Sequence, residues 1–173
     1  AAGIPTVNRF FNAEAAREIR EEYGVSKLVI GNNVLAHVDD PRDFLAGAEY
    51  LLAPGGMVVF EFPYLSHLIE NLEYDTIYHE HLCYFSARAV LHLCDAVGLS
   101  IVRVDRVAVH GGSLRIYACR KHDHPQHGET VLALVAKERE AGLDRIETYA
   151  RFAGDVRENR RLLRNMLQEL RSA

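Results

Sequence analysis

The densest group of proton-transfer side chains in the sequence is the run Tyr78-His79-Glu80-His81. A histidine can accept a proton at neutral pH, a neighbouring carboxylate can fix its tautomer, and a tyrosine can donate to a developing oxyanion. If the run is extended, Tyr78 and Glu80 lie on one side and His79 and His81 on the other. These groups suit the removal of a proton from a carbon next to a carbonyl. A polar loop whose side chains satisfy one another is the alternative.

The His79-x-His81 pair also suggests a metal ion, with His37, His110 or Cys83 completing a tetrahedral set. The helical H-E-x-x-H motif is absent from the sequence. We therefore assign no metal, and a metal-dependent hydrolase that uses the two histidines is kept as an alternative function.

Polar side chains follow two apolar runs that are predicted to be buried strands. Asn32, Asn33 and His37 come after the run at 27–30, and Glu61 lies near the end of the second run. Ligands of open α/β folds bind at the carboxyl ends of parallel strands. A buried amide costs free energy unless it is paired, so the two asparagines need partners. Either a ligand or the backbone of their own loop could supply them.

The run His110-Gly111-Gly112-Ser113 comes before a predicted strand that carries Arg115. Its glycines allow a tight turn or a close approach to a ligand, with Ser113 or Arg115 as polar contacts. The sequence contains no G-x-S-x-G elbow, so acyl transfer through a serine is not expected.

The elements that must position these residues form an α/β pattern. Short β-branched runs alternate with amphipathic stretches over residues 1–120, which predicts two successive β-α-β units. Residues 99–104 and 113–119 are predicted to be an antiparallel hairpin, because no helix fits between them. Residues 121–128 are a polar linker, and residues 129–173 are predicted to be helical.

Composition excludes several classes of protein. The chain of 173 residues suits one compact domain with an appendage, and its net charge of -4 does not favour a nucleic-acid partner. No apolar run of about 18 residues occurs, so no membrane partner is expected. The three cysteines show no C-x-x-C spacing and no secretory signal is present, which indicates a cytoplasmic protein with free thiols.

A glycine-rich turn normally follows the first strand of a nucleotide-binding α/β domain, and no G-x-G or P-loop occurs here. The sequence therefore predicts half of a binding site. Because the chain begins at Ala1 rather than at a methionine, we expect it to have been processed or cut from a longer protein.

The blocks at 32–38, 52–56, 73–86 and 110–115 closely resemble the S-adenosylmethionine-dependent C-methyltransferases of nucleotide-sugar metabolism. The resemblance implies a zinc-binding N-terminal module, a central class I (Rossmann-like) methyltransferase fold and a C-terminal α/β domain. This chain would be the C-terminal half of the central sheet, with parallel strands and an antiparallel edge hairpin, followed by a helical connector to the last domain. Zinc belongs to the N-terminal module of the family and is assigned to no residue here.

The resemblance also implies a reaction. In that family a nucleoside-diphosphate 4-keto-6-deoxy sugar loses a proton at C3, and the enolate takes a methyl group from S-adenosylmethionine. By position, His81 would be the base, while Tyr78, Glu80 and His37 would orient it or stabilise the enolate oxygen. On its own, the chain would be inactive because it lacks the glycine-rich cofactor turn.

Binding roles carry over in the same way. The resemblance places Asn32 and Asn33 near the cofactor, and it makes His110, Ser113 and Arg115 the candidate contacts of the nucleotide-sugar substrate.

The strand order of the family puts a further strand beside residues 28–30. In this chain that edge would be unpaired, and an unpaired edge favours association. We expect self-association through this edge and the C-terminal helix. A non-catalytic fragment or assembly module is therefore the second hypothesis.

Overall fold

The computed structural model describes residues 3–109 and 111–172. The helices in these residues are α1 (Ala13–Tyr23), α2 (Pro41–Leu51), α3 (Leu65–Glu70), α4 (Ala87–Ala96), α5 (Glu129–Glu140) and α6 (Ile146–Ser172). The strands are β1 (Ser26–Asn32), β2 (Leu52–Pro63), β3 (Leu99–Val107) and β4 (Ser113–Arg120). Two short 3-10 turns lie at Leu35–His37 and Tyr74–Thr76.

The strands form one sheet in the order β1-β2-β4-β3. β1 and β2 are parallel, whereas β4 is antiparallel to both of its neighbours. The predicted α/β class, with parallel strands and an antiparallel edge hairpin, is confirmed. The prediction of two β-α-β units is wrong, because residues 3–25 contain no strand and only the β1-α2-β2 unit is formed in the described chain.

The core lies on one face of the sheet. Side chains of β2 and β4 that alternate towards this face, such as Phe60, Phe62 and Ile116, are buried against α2, α4 and α5. On the opposite face of β1, Leu28 and Ile30 are 49% and 61% exposed. In the described chain, the face of β1 that carries these two residues is therefore left largely exposed.

Capping side chains fix the helices that lead to and from the ends of the strands. Asn12 accepts a hydrogen bond from the backbone N–H of Ala15 at 2.8 Å and so begins α1. Asp40 caps α2 in the same way, with Pro41 at the first helical position. These local signals explain why the helix starts follow from the sequence.

The segment 121–128 lies on the sheet. The backbone N–H of Gly128 donates to the carbonyl of Ile101, and Nδ1 of His127 accepts from the N–H of Ile101 at 3.1 Å. Nε2 of the same ring lies 3.1 Å from Asp95 in α4. Hydrogen bonds from His127 and Gly128 therefore connect the start of α5 to β3 and α4.

Helix α6 is attached only along its first half. Tyr149 donates from its hydroxyl to the Leu143 carbonyl at 2.7 Å, and Tyr74 donates to Oδ1 of Asn159 at 3.1 Å. Further along, apolar side chains such as Leu167 are exposed. Among the described residues, no helix has both the length and the apolar composition that crossing a bilayer requires.

Candidate active site

A cavity of about 260 Å³ lies where β1 and β2 end. Its lining combines imidazole, phenol, hydroxyl and amide groups with one proline, and consists of Asn33, His37, Pro63, Thr76, Tyr78 and His81. The position matches the carboxyl edge of the parallel pair, where α/β folds bind their ligands. Sequence patterns pointed to four of these six residues and missed Pro63 and Thr76.

Backbone hydrogen bonds bring the two histidines of the cavity together. The N–H groups of Leu82 and Cys83 both donate to the carbonyl of Ala36, at 2.9 and 3.2 Å. The ring centroids of His37 and His81 consequently lie 4.9 Å apart. The segment that carries His81 is thus fastened to the turn that carries His37.

The run Tyr78-His79-Glu80-His81 is a tight turn, because the N–H of His81 donates to the carbonyl of Tyr78 at 3.1 Å. The segment is therefore not extended, and the alternation that an extended segment would show does not apply. Tyr78 and His81 lie on the same side, with the Tyr78 hydroxyl 3.2 Å from Nε2 of His81. Glu80 lies outside the cavity, and its carboxylate lies 3.9 Å from the ring of His79, whose side chain is 88% exposed.

The geometry fixes the tautomer of His81. Nδ1 lies 2.8 Å from the carbonyl oxygen of Thr76. A carbonyl oxygen can only accept, so Nδ1 carries a proton, and in the neutral ring the lone pair is on Nε2. Nε2 faces the hydroxyl of Tyr78. His81 is therefore arranged so that Nε2 can act as a base, with a phenol beside it.

Asn33 has an unusual backbone and an unpaired side chain. Its φ is +53°, in the left-handed region that asparagine tolerates better than most residues. Its backbone N–H donates to the Glu61 carbonyl at 2.8 Å, and its buried Oδ1 has no hydrogen-bond partner in the described chain. Leaving such an acceptor unpaired costs about 1–3 kcal/mol. Asn33 is thus equipped to accept a hydrogen bond from a ligand, whereas Asn32 is exposed and does not line the cavity.

A second cavity, of about 270 Å³, shares His37 with the first. Its walls are aromatic and acidic, and they include Phe10, Phe11, Asp39, Asp40 and Asp43. Sequence reasoning missed this cavity, although two adjacent phenylalanines directly before a helix cap were a signal. His37 therefore separates two spaces of similar volume.

Arg115 is held by a buried carboxylate. Its Nε and Nη2 atoms donate to Oε2 of Glu61 at 2.9 and 2.7 Å, and Glu61 is only 4% exposed. The hydrogen bonds and the charge of Glu61 raise the pKa of Arg115 above its ordinary value. The predicted substrate contact is therefore paired with a carboxylate on the neighbouring strand.

The described part of the glycine loop, residue 109 and residues 111–113, packs against α3 and the turn that follows it. Gly111 and Gly112 have φ values of +78° and +124°, and a Cβ on Gly112 would collide with the ring of His67. Ser113 is fully buried, and its hydroxyl donates to the Val109 carbonyl at 3.0 Å. Ser113 thus supports the loop, while the predicted contact His110 lies outside the described residues.

The described residues show no group of three or more His, Cys, Asp or Glu side chains that could hold a metal ion. His79 points into solvent while His81 lines the cavity, so the two histidines do not converge on one point. The arrangement offers no support for a hydrolase built on this pair.

Two families match the chain in adjacent segments. The family described as "Methyltransferase domain" matches residues 3–104, and the one described as "C-methyltransferase C-terminal domain" matches residues 108–173. Among curated proteins, the chain is 35% identical over 166 residues to the C-methyltransferase NovU of Streptomyces niveus. The match covers 96% of this chain, and the chain spans 40% of the length of that relative.

Solved structures of methyltransferases are similar over somewhat more than half of the chain. The magnesium protoporphyrin IX methyltransferase of Synechocystis PCC 6803, solved with bound SAH, is 16% identical with a TM-score of 0.45. That similarity covers 62% of this chain and 58% of the other. The N-methyltransferase NodS of Bradyrhizobium japonicum WM9 is 17% identical with a TM-score of 0.41, over 56% of this chain and 51% of the other.

Proposed function

The chain belongs to the S-adenosylmethionine-dependent C-methyltransferase family, and on that basis we propose that it carries the proton-abstracting half of a sugar C-methyltransferase site. The acceptor is C3 of a nucleoside-diphosphate 4-keto-6-deoxy sugar. The observation that carries this proposal is the geometry of His81, whose Nδ1–H is directed at the Thr76 carbonyl while Nε2 lies in the cavity beside the Tyr78 hydroxyl.

A carbon next to a keto group needs a positioned base and a donor for the enolate oxygen. Nε2 of His81 takes the proton from C3, and the electron pair of the C3–H bond becomes the C3–C4 double bond of the enolate. The negative charge moves to the oxygen on C4, where the Tyr78 hydroxyl donates. S-adenosylmethionine supplies, when bound, the electrophilic methyl group that the enolate carbon takes up.

The residues around His37 fit the methyl donor. The unpaired Oδ1 of Asn33 suits an ammonium or hydroxyl donor, both of which S-adenosylmethionine carries. In the second cavity, the phenylalanine rings suit a purine and the aspartates suit ribose hydroxyls and a positively charged ligand. We therefore assign the adenosine of the donor to the second cavity, a further donor contact to Asn33 in the first cavity, and the sugar to the part of the first cavity that Tyr78 and His81 line.

Of the predicted contacts of the nucleotide sugar, we propose Arg115, because Ser113 is fully buried and bonded to the Val109 carbonyl and His110 lies outside the described residues. Arg115 suits a phosphate because its guanidinium is always charged and binds in a fork geometry. A bound diphosphate would compete with Glu61 for it, so Glu61 keeps Arg115 in place until substrate arrives.

A second candidate function, an assembly module without catalysis, is favoured by the exposure of Leu28 and Ile30 and of the end of α6. Cofactor affinity separates the two candidates. An assembly module would show self-association and no binding of S-adenosylhomocysteine by the protein as its gene encodes it.

Solvent exchange tests the proposed chemistry before any methyl transfer. In D₂O, with S-adenosylhomocysteine in place of the methyl donor, the protein as its gene encodes it should replace the C3 hydrogen of the keto sugar by deuterium. We expect His81→Asn to abolish that exchange. Exchange that proceeds equally well in this variant would remove His81 from the role of base.

A further inference from the structure

The base of the proposed reaction is held by a residue to which no role has been assigned. We propose that Thr76 is a positioning residue for His81: its hydroxyl closes a turn, and the carbonyl of the same residue fixes the Nδ1–H tautomer of the imidazole. The inference rests on the proposed function of His81 but concerns a separate, measurable property of the ring.

The hydroxyl of Thr76 closes the 3-10 turn in which it lies. Both its Oγ1 and its backbone N–H donate to the carbonyl of Glu73, at 2.7 and 3.1 Å. The next hydrogen bond, from the N–H of Ile77 to the carbonyl of Tyr74, measures 3.1 Å. The bonds from Thr76 to Glu73 hold the residue itself, and the bond from the Ile77 N–H holds the peptide group that contains the Thr76 carbonyl. Together they leave this carbonyl little freedom to rotate.

That carbonyl is the contact that orients His81. It accepts from Nδ1 of His81 at 2.8 Å, and the Tyr84 hydroxyl lies at 3.5 Å, the limit of a hydrogen bond. Tyr84 also meets His81 edge-on, with ring centroids 6.0 Å apart. Burial raises the pKa of Tyr84, so its hydroxyl remains a donor at neutral pH. Both donors converge on the Thr76 carbonyl oxygen, and the position of that oxygen determines the orientation of the His81 imidazole.

The turn is braced from two sides. The N–H of Glu73 donates to the carbonyl of Leu68 at the end of α3, at 2.9 Å. The carboxylate of Glu73 accepts from Nδ2 of Asn71 at 3.1 Å and lies where a Cβ on Gly111 would fall. Because Glu73 is held in these ways, removing the Thr76 hydroxyl would leave Glu73 in place. It would loosen only the Thr76 carbonyl that contacts Nδ1 of His81.

The consequence for the base follows from the two tautomers. With the proton on Nδ1, Nε2 can accept from a carbon acid. With the proton on Nε2, the ring would donate to Tyr78, and its lone pair would lie on Nδ1, against the Thr76 carbonyl, where it cannot take a proton from the substrate. A looser Thr76 carbonyl would let the second tautomer become populated, which lowers the fraction of active enzyme without changing the substrate contacts.

Two variants and a control test the inference on the protein as its gene encodes it. Thr76→Val keeps the shape and removes the hydroxyl, and Thr76→Ala does so without the second methyl group, in case valine disturbs folding. Thr76→Ser restores the hydroxyl. Thermal melts establish that each variant is folded.

For the Val and Ala variants we expect kcat to fall about ten- to a hundred-fold, as for other groups that orient a functional histidine, with KM within about twofold of wild type. Serine should restore most of kcat. In ¹⁵N spectra of histidine-labelled protein, with His81 assigned by its loss in His81→Asn, the signals should move from the Nδ1–H towards the Nε2–H tautomer.

Unchanged tautomer signals in folded Thr76→Val and Thr76→Ala would overturn the inference, and so would an equal loss of kcat in Thr76→Ser. The role of His81 as the base and the role of Thr76 in fixing its tautomer can be refuted separately. If His81 is not the base, His81→Asn keeps its turnover, yet the spectra still report whether Thr76 fixes the tautomer.

Discussion

The ring centroids of His37 and His81 lie 4.9 Å apart, although the two residues come from different segments of the chain. The carbonyl of Ala36 joins the segments because it accepts from two consecutive N–H groups after His81. His37 also lines the cavity that we assign to the methyl donor. The pair therefore marks the place where methyl donor and carbon acid would meet.

Replacing the proposed base should lower turnover without loss of cofactor. In His81→Asn we expect kcat to fall about 10²- to 10⁴-fold, the range for removal of a general base, with S-adenosylhomocysteine affinity nearly unchanged. Steady-state kinetics and calorimetry on the protein as its gene encodes it measure both quantities.

The matched control is His79→Asn, which changes the exposed neighbour in the same turn and should stay within about twofold of wild type. His37→Ala should show a smaller loss than His81→Asn. Similar losses in His79→Asn and His81→Asn would contradict the assignment.

Asn33→Gly separates ligand binding from folding. Glycine adopts the φ of +53° freely, and the change removes a buried acceptor that lacks a partner in the described chain. The melting temperature should therefore stay equal or rise, while S-adenosylhomocysteine affinity falls about five- to twenty-fold, as expected for one lost hydrogen bond.

Asn32→Ala is the control, because Asn32 is exposed and does not line the cavity. The affinity of Asn32→Ala for S-adenosylhomocysteine should change less than that of Asn33→Gly. If Asn33→Gly binds the ligand as tightly as wild type, Oδ1 of Asn33 does not contact it.

Gly112→Ala should destabilise the fold strongly. The φ of +124° is strained for any side chain, and the new Cβ would collide with the His67 ring. We expect a loss of about 2–4 kcal/mol in the free energy of unfolding, measured by urea titration.

Gly98→Ala is the matched control, because its φ is +79° and nothing lies within 4 Å of the added Cβ. It should lose only about 1 kcal/mol. Equal losses in the two variants would show that backbone strain alone, and not the contact with His67, requires glycine at 112.

Alkaline pH should weaken the fold through Cys94, a thiol that is fully buried in α4. Burial raises the pKa of this thiol to about 12, whereas a thiol in an unfolded chain titrates near about 8.5. Above about pH 9 the unfolded state releases the proton and the native state keeps it. The free energy of unfolding should then fall by about 1.4 kcal/mol per pH unit.

Urea titrations between about pH 7 and 10.5 measure this slope, and Cys94→Ala should reduce it. Burial also raises the pKa of Tyr64. Its contribution to the slope at the highest pH values is therefore the same in the wild type and in Cys94→Ala. The same slope with and without the thiol would show that Cys94 is not its source.

Much of the fold could be predicted because its signals are local. The apolar runs before Asn32 and around Phe60 predicted the parallel pair, and the caps at Asn12 and Asp40 predicted helix starts. The hairpin followed from the lack of a helical pattern between its strands. The early strand predicted for the first β-α-β unit was wrong, because residues 3–11 form no strand.

The site could be predicted in composition but not in geometry. Tyr78 and His81 meet because of a turn hydrogen bond and the tie to Ala36, neither of which leaves a periodic pattern. The pairing of Arg115 with Glu61 depends on the register between β2 and β4, and that register could not be predicted from the sequence. Residue type therefore identified the chemistry, and tertiary contacts decided which side chains share a cavity.

The position of the transferred methyl group tests the central claim most directly. The protein as its gene encodes it is incubated with S-adenosylmethionine labelled with ¹³C in the methyl group and a nucleoside-diphosphate 4-keto-6-deoxy sugar, and the product is analysed by NMR. The account predicts a labelled methyl carbon bonded to C3 of the sugar, and its loss in His81→Asn. A label on an oxygen or nitrogen, or no transfer while the cofactor binds, would contradict it.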